Sequence, residues 1–283
     1  MKSKNKGDFF WPKTVELYQQ AYLVLIKDPT IWIPFVLLGI LDLLALLILF
    51  LAPSPPVSHL VAPIIRTFWS DRFLHYPVNF ILLPKLQAHA HFLITTIFGV
   101  FVTGIAVKKI EAGLKTDVSC SILDAIKFVL RRFIPLICAW LLAYFLFKVL
   151  FKILNPILTL NLWVQLGAGY AVAVLAQAAL GFIIPAVVLA DKGFFKSFVK
   201  GLAFGFRNIV VASILIIIPI FMVTVVSFAK GLSPIFIARG VPEAVILVLV
   251  GGIILTVVAD IWVTSVTTVL FLRKAGILSH ENA

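Results

Sequence analysis

Residues 189–208 read LADKGFFKSFVKGLAFGFRN. The stretch lies between two long apolar runs and sets lysines beside phenylalanines at helical spacing. Lys192, Lys196 and Lys200 step by four and share one face of a helix over 192–207. Phe195, Phe198, Leu202 and Phe206 follow at spacings of three and four on the other side. A helix with basic residues on one face and aromatic residues on the other lies in the membrane interface, its rings in the acyl boundary and its ammonium groups among anionic headgroups. Gly201 and Gly205 weaken this helix and bring it close to a neighbour. Asn208 marks the turn into the next apolar run.

Composition agrees with a membrane setting. Of 283 residues, 62% are hydrophobic and 13% charged, whereas soluble domains are about a quarter charged. The apolar runs are long enough to cross a hydrocarbon core of about 30 Å. They do not alternate, which excludes a β-barrel. The expected fold is an all-α polytopic bundle, a single integral membrane domain over 1–283. Its six spans fall at about 31–52, 88–107, 133–154, 162–190, 209–229 and 244–272, with an outer loop at 53–87. The fourth and sixth are long enough to tilt or to extend past the bilayer. The basic start MKSKNKGDFFWPK is not followed by a short apolar core with a cleavage site, so the first span is expected to stay as an anchor.

Lys and Arg set the orientation. With the N-terminus in the cytoplasm, 17 of the 24 basic residues fall on the cytoplasmic side, and both termini lie there by the positive-inside rule. The net charge of +12 is then explained by topology and anionic lipid, and nucleic acid is not an expected partner. Cys120 and Cys138 have neither a disulfide partner nor metal-ligand spacing.

The opening pattern recurs. Residues 121–132, SILDAIKFVLRR, place Ile122, Ala125, Ile126 and Val129 on one side and Lys127, Arg131 and Arg132 among the polar positions. Residues 14–28, TVELYQQAYLVLIKD, place Leu17, Tyr18, Ala21 and Leu25 on one side. Each unit reads as a cytoplasmic amphipathic helix, a span out, a loop and a span back, so that three hairpins make the chain. Arg131, Arg132, Lys192, Lys196, Lys200 and Arg207 are the expected contacts to anionic lipid.

Residues 182–215, FIIPAVVLADKGFFKSFVKGLAFGFRNIVVASIL, resemble a loose group of bacterial six-span membrane proteins. The group includes the DUF975 and YciC-like families and the membrane domain attached to some glycerophosphodiester phosphodiesterases. Pro185, Asp191, Gly193, Ser197 and Asn208 match its pattern, while Phe198 and Gly201 stand where small Ala and Ser are usual. The resemblance implies a membrane scaffold in a bacterial-type plasma (inner) membrane, with no phosphodiesterase catalytic domain in this chain.

Charge at the centre of a span costs at least about 2.5 kcal/mol. Asp42 lies midway along span one and Asp260 near the middle of span six. On span six Gly252, Thr256, Asp260, Thr264 and Thr268 recur every four residues. Thr95, Gly99 and Thr103 on span two, and Gly169, Ala173, Gln177 and Gly181 on span four, are weaker versions of the stripe. Small residues at this spacing serve close helix packing. The second reading is an intramembrane polar site formed by Asp42, Lys148, Gln177, Thr256, Asp260 and Thr264, with the aspartates as proton or cation ligands. Lys148 sits at a depth where it could pair with one of them. His59, His75, His89 and His91 cluster by sequence, but the spacing suits no metal site and they read as interfacial or loop residues. Neither a nucleophile–base pair nor a cofactor motif is present. The expectation is a non-catalytic membrane protein that organises lipid or a membrane-protein partner complex. A transporter or permease subunit with a path through Asp42 and Asp260 is the alternative, and an enzyme acting on lipid a distant third.

Overall fold

Apolar sequence with helical periodicity yields helices nearly throughout. The computed structural model describes residues 11–115, 120–158, 162–189 and 193–275, with the backbone alone at 11–13, 155–158 and 162–166. Among the described residues there are thirteen α-helices and no strand. They are α1 (Trp11–Lys27), α2 (Trp32–Leu51), α3 (Val57–Phe68), α4 (Val78–Ile94), α5 (Val100–Leu114), α6 (Ile122–Leu130), α7 (Phe133–Leu158), α8 (Leu162–Leu180), α9 (Ile183–Leu189), α10 (Phe194–Arg207), α11 (Ile209–Gly231), α12 (Ser233–Ala238) and α13 (Glu243–Lys274). A π-helical segment, Thr95–Gly99, joins α4 to α5.

Six stretches are long and apolar enough to cross a membrane: Pro29–Leu51, Val78–Leu114, Phe133–Leu154, Gly167–Leu189, Ile209–Gly231 and Glu243–Lys274. The chain is a multi-pass integral membrane protein. The helix that carries the second span begins at Val78, ahead of the expected 88, and the expected loop 53–87 is largely helical, holding α3, a 3-10 turn at Asp71–Leu74 and the first turns of α4. Its prolines do not end these helices. Pro63 and Pro84 each remove one backbone bond, and the adjacent Ala62, Ile65, Leu83 and Leu86 are buried and hold the turns in place. The expected fourth span is broken at Gly181–Phe182 into α8 and α9. Pro185 lacks the N–H that would reach the Gly181 carbonyl, and its ring crowds that oxygen.

The chain divides into two compact units. The first comprises Met1–Pro34, Val100–Ile220 and Asp260–Ala283; the second comprises Phe35–Gly99 and Phe221–Ala259.

In the first unit, Val100, Ile105, Val107, Ala125, Val129, Leu136, Ile183, Val187 and Phe198 form one core. The amphipathic helices α6 and α10 contribute to it. On α10 the buried face is Ser197, Phe198, Gly201 and Gly205. A Cβ at Gly201 would sit 2.8 Å from the Phe182 carbonyl oxygen and the Ile183 Cα, and one at Gly205 would run into the Ala179 carbonyl. The glycines let α10 touch the backbone at the α8–α9 break. The expected division of this helix into a basic face and an aromatic face is therefore corrected. Phe198 is packed inward, while Phe195, Val199 and Phe206 are exposed together with Lys196, Lys200 and Arg207. The helices α6 and α1 share this arrangement. Ala125 and Val129 are buried while Leu123 and Leu130 are bare beside Lys127 and Arg131. Leu17, Ala21 and Leu25 are buried while Tyr22, Leu23 and Ile26 are bare beside Lys27.

A polar residue stands where each of these helices gives way to the next long one, and each is tied to the last turns of a later helix. Asp28 pairs with Lys109 of α5 at 2.8 Å. Arg132 Nη1 donates to the carbonyls of Val187 at 3.1 Å and Val188 at 2.9 Å, at the end of α9. Lys274 at the end of α13 donates to Asn208 Oδ1 at 2.6 Å. A second set of bonds runs from α1. Tyr18 Oη donates to the carbonyls of Ile214 and Leu215, both at 2.9 Å, and Arg273 bonds Glu16 at 3.2 Å. Pro219 inside α11 leaves the Leu215 carbonyl without its helical donor, and Tyr18 supplies one.

Burial raises the Asp28 carboxyl, but hydrogen bonds from Lys109 and Thr30 and the charge of Lys109 outweigh it and hold the group below the usual aspartate range. A carboxyl lowered in the folded state contributes stability above its unfolded value and loses it as pH falls through the folded one. Asp28→Asn should therefore remove an acid limb below about pH 4 from the thermal stability profile. Gly205→Ala should destabilise by about 1–3 kcal/mol through overpacking, read as a lower Tm in nanodiscs. Gly251→Ala, where a Cβ meets nothing within 4 Å, should be neutral or stabilising.

Candidate functional site

The second unit has its own apolar core of Leu46, Ala52, Ile65, Phe73, Leu83, Leu86, Val245, Leu249 and Ile253. Helical spacing inserts polar groups among these residues. On α2, Leu38, Asp42 and Leu46 follow at intervals of four and are all buried, so that Asp42 holds a core position at 4% exposure. On α4 the stripe Leu83, Gln87, His91 continues to Thr95, which opens the π-helical segment. Lys230 lies near the end of α11.

Asp42 Oδ2 is 2.8 Å from His91 Nδ1, and His91 Nε2 is 3.4 Å from Thr95 Oγ1. An ionised carboxylate only accepts, which puts the imidazole proton on Nδ1 and leaves Nε2 as the acceptor for the Thr95 hydroxyl. The Asp42 side chain is 6% exposed and that of His91 36%. Asp42 Oδ1 is buried with no hydrogen-bond partner among the described residues. Lys230 Nζ donates to Gln87 Oε1 at 3.3 Å, and Gln87 is buried. Asp42 and Lys230 also act on each other electrostatically. Gly252 makes room for the lysine stem, since a Cβ there would lie 2.6 Å from Val226 Cγ1 and 3.3 Å from Lys230 Cε. A carboxylate bonded to an imidazole and an amide bonded to an ammonium group thus lie on α2, α4 and α11 of this unit. Among the described residues no group of three His, Cys, Asp or Glu side chains could hold a metal ion.

The predicted polar residues are distributed as follows. Asp42 belongs to this cluster. Thr256 is in the same unit, and its hydroxyl bonds back to the Gly252 carbonyl at 2.8 Å. Asp260 and Thr264 fall in the first unit; Asp260 is half-buried and Thr264 buried, and the Thr264 carbonyl accepts from Thr268 Oγ1 at 2.6 Å. The stripe on α13 is therefore divided between the units, and hydroxyls along it bond to carbonyls one turn back in their own helix. Gln177 is half-buried in the first unit. Lys148 is exposed, with Nζ 5.3 Å from the Tyr144 ring centroid.

Of the expected lipid contacts, Arg131, Lys196, Lys200 and Arg207 are exposed. Arg132 is half-buried and bonded to the α9 carbonyls, and Lys192 lies outside the described residues. His91, Gln87 and Lys230 are the members that sequence reading misses. It groups His91 with three other histidines near it in sequence, although the residue falls inside the expected span 88–107. The available signal is its i, i+4 spacing from Gln87 on one helical face.

Gln87→Leu should cost about 1–3 kcal/mol by leaving the Lys230 ammonium without its acceptor. Adding Lys230→Met should recover some of that loss in a double-mutant cycle read by thermal unfolding.

No family model matches the chain, and no curated protein or solved structure matches it either. The resemblance drawn from 182–215 stands on those residues alone, and the chain is established as a multi-pass integral membrane protein.

Proposed function

We propose that this chain is a non-catalytic integral membrane protein that organises lipid, gripping anionic headgroups with α1, α6 and α10 on the cytoplasmic side, where both termini also lie. The observation that carries the reading is the outward face of α10. Its glycine face is locked to neighbouring backbone, and the remainder presents Phe195, Val199 and Phe206 beside Lys196, Lys200 and Arg207. Water would penalise the bare rings, and the hydrocarbon core would penalise the bare cations. The headgroup boundary accommodates both. The proposal includes a three-unit arrangement with one interfacial helix ahead of each hairpin, and the shared pattern of α1, α6 and α10 supports it. The transporter reading has its support in the burial of Asp42.

The test is lipid preference of the full-length protein in nanodiscs of mixed anionic and zwitterionic phospholipid. Each basic residue near the surface contributes about 1 kcal/mol. The triple change Lys196→Gln, Lys200→Gln, Arg207→Gln should weaken the preference for anionic lipid about a hundredfold, and salt should weaken the wild type in the same direction. An unchanged preference in the triple variant would sink the proposal.

A further inference from the structure

We propose that the Asp42–His91 pair is a proton-binding site, loaded through His91, with Lys230 as its fixed countercharge. The site goes beyond lipid organisation and does not depend on it.

Three observations lead there. First, the two ends of the pair differ in access. Asp42 is enclosed, while a third of the His91 side chain is uncovered by protein, so the imidazole is the member of the pair that an incoming proton meets first. Second, the Nδ1–Oδ2 distance of 2.8 Å is a direct hydrogen bond along which a proton can pass. Third, Asp42 Oδ1 is buried and has no hydrogen-bond partner among the described residues. An ionised carboxylate with an unmet buried oxygen is costly, and a neutral carboxylic acid much less so.

The step balances within the named groups. A proton from hydronium bonds to His91 Nε2, displacing the Thr95 hydroxyl that faces it at 3.4 Å. The Nδ1–H bond breaks as an Oδ2–H bond forms. His91 ends neutral as the Nε2–H tautomer, Asp42 ends neutral as the acid, and one proton is bound. Lys230 then loses the anion that balanced it, so loading changes the electrostatics at the end of α11. Among the described residues of this unit, Lys230 of α11 is the charged group that acts on Asp42. Residues Ala244–Ala259 of α13 carry no charge. Lys85 and His89 of α4 are exposed, with the His89 ring edge-on to Trp69 and its Nδ1 2.7 Å from the Lys85 carbonyl. Arg66, Asp71 and His75 form a separate exposed cluster.

The experiment is infrared difference spectroscopy on the full-length protein in nanodiscs between about pH 8 and pH 5, the range in which histidine proton carriers work. Acidification should raise the C=O stretch of a protonated carboxyl, and Asp42→Asn should abolish it. In a rapid pH jump, His91→Gln should delay the band at least about tenfold. Nitrogen-15 spectra of labelled histidine in the wild type give a readout that needs no folded Asp42 variant. His91, assigned as the signal lost in His91→Gln, should be the Nδ1–H tautomer at high pH and the Nε2–H tautomer at low pH. A carbonyl band that survives Asp42→Asn, a band that rises as fast without His91, or a His91 tautomer unchanged across the range would each overturn the assignment.

Discussion

A backbone carbonyl inside a bilayer has no water to turn to, so every break in a membrane helix needs a donor from the protein. This chain breaks its helices often. Prolines at 185 and 219 each remove a backbone N–H in the middle of apolar sequence. Two of the side chains that reach exposed carbonyls come from elsewhere in the chain. Arg132 meets the last carbonyls of α9, and Tyr18 meets the Ile214 and Leu215 carbonyls within α11. Burial pushes the Tyr18 phenol above its ordinary value, which keeps it a donor. These few charge-assisted or hydroxyl bonds add direction to the apolar core of the first unit, because apolar contact alone scarcely distinguishes a neighbouring helix from lipid.

Small residues serve the same end by a different route. Gly201 and Gly205 bring α10 against the backbone of α8 and α9, and only after that contact is made does the rest of the helix surface become legible. Phe198 joins the core while Phe195 and Phe206 stay bare. A helical wheel drawn from the sequence groups all the aromatics together, because spacing gives angle but not which side of an aromatic arc the neighbour will occupy. The six spans, the all-α class and the amphipathic segments are readable from composition and periodicity, since hydrocarbon thickness and helical rise leave little choice.

The polar cluster of the second unit is harder to read. Asp42 stands out because a carboxylate in an apolar run is conspicuous. His91 does not, because it is read with the neighbouring histidines rather than with the face of the span that carries it. Gln87 and Lys230 become partners only through packing across α4 and α11, some 140 positions apart in sequence. The π-helical segment from Thr95 to Gly99 has no local sequence signature at all, yet it begins one turn beyond His91. Such segments lengthen the backbone repeat and are found often at functional positions.

The bonds at the three helix junctions also bear on how the protein is made. The partners are close in sequence: Arg132 and Val188 are 56 residues apart, and Asn208 and Lys274 are 66 apart. The clasps from α1 are distant, with 197 residues between Tyr18 and Leu215 and 257 between Glu16 and Arg273. Chains emerge N-terminus first and fold in segments as they appear. Each junction can close once the later helix of its pair is inserted, so the chain beside α1 is tied at Asp28 when α5 is in place. The Tyr18 bonds follow with α11 and the Arg273 bond with the last turns of α13, and α1 is thus fastened in stages as its partners arrive.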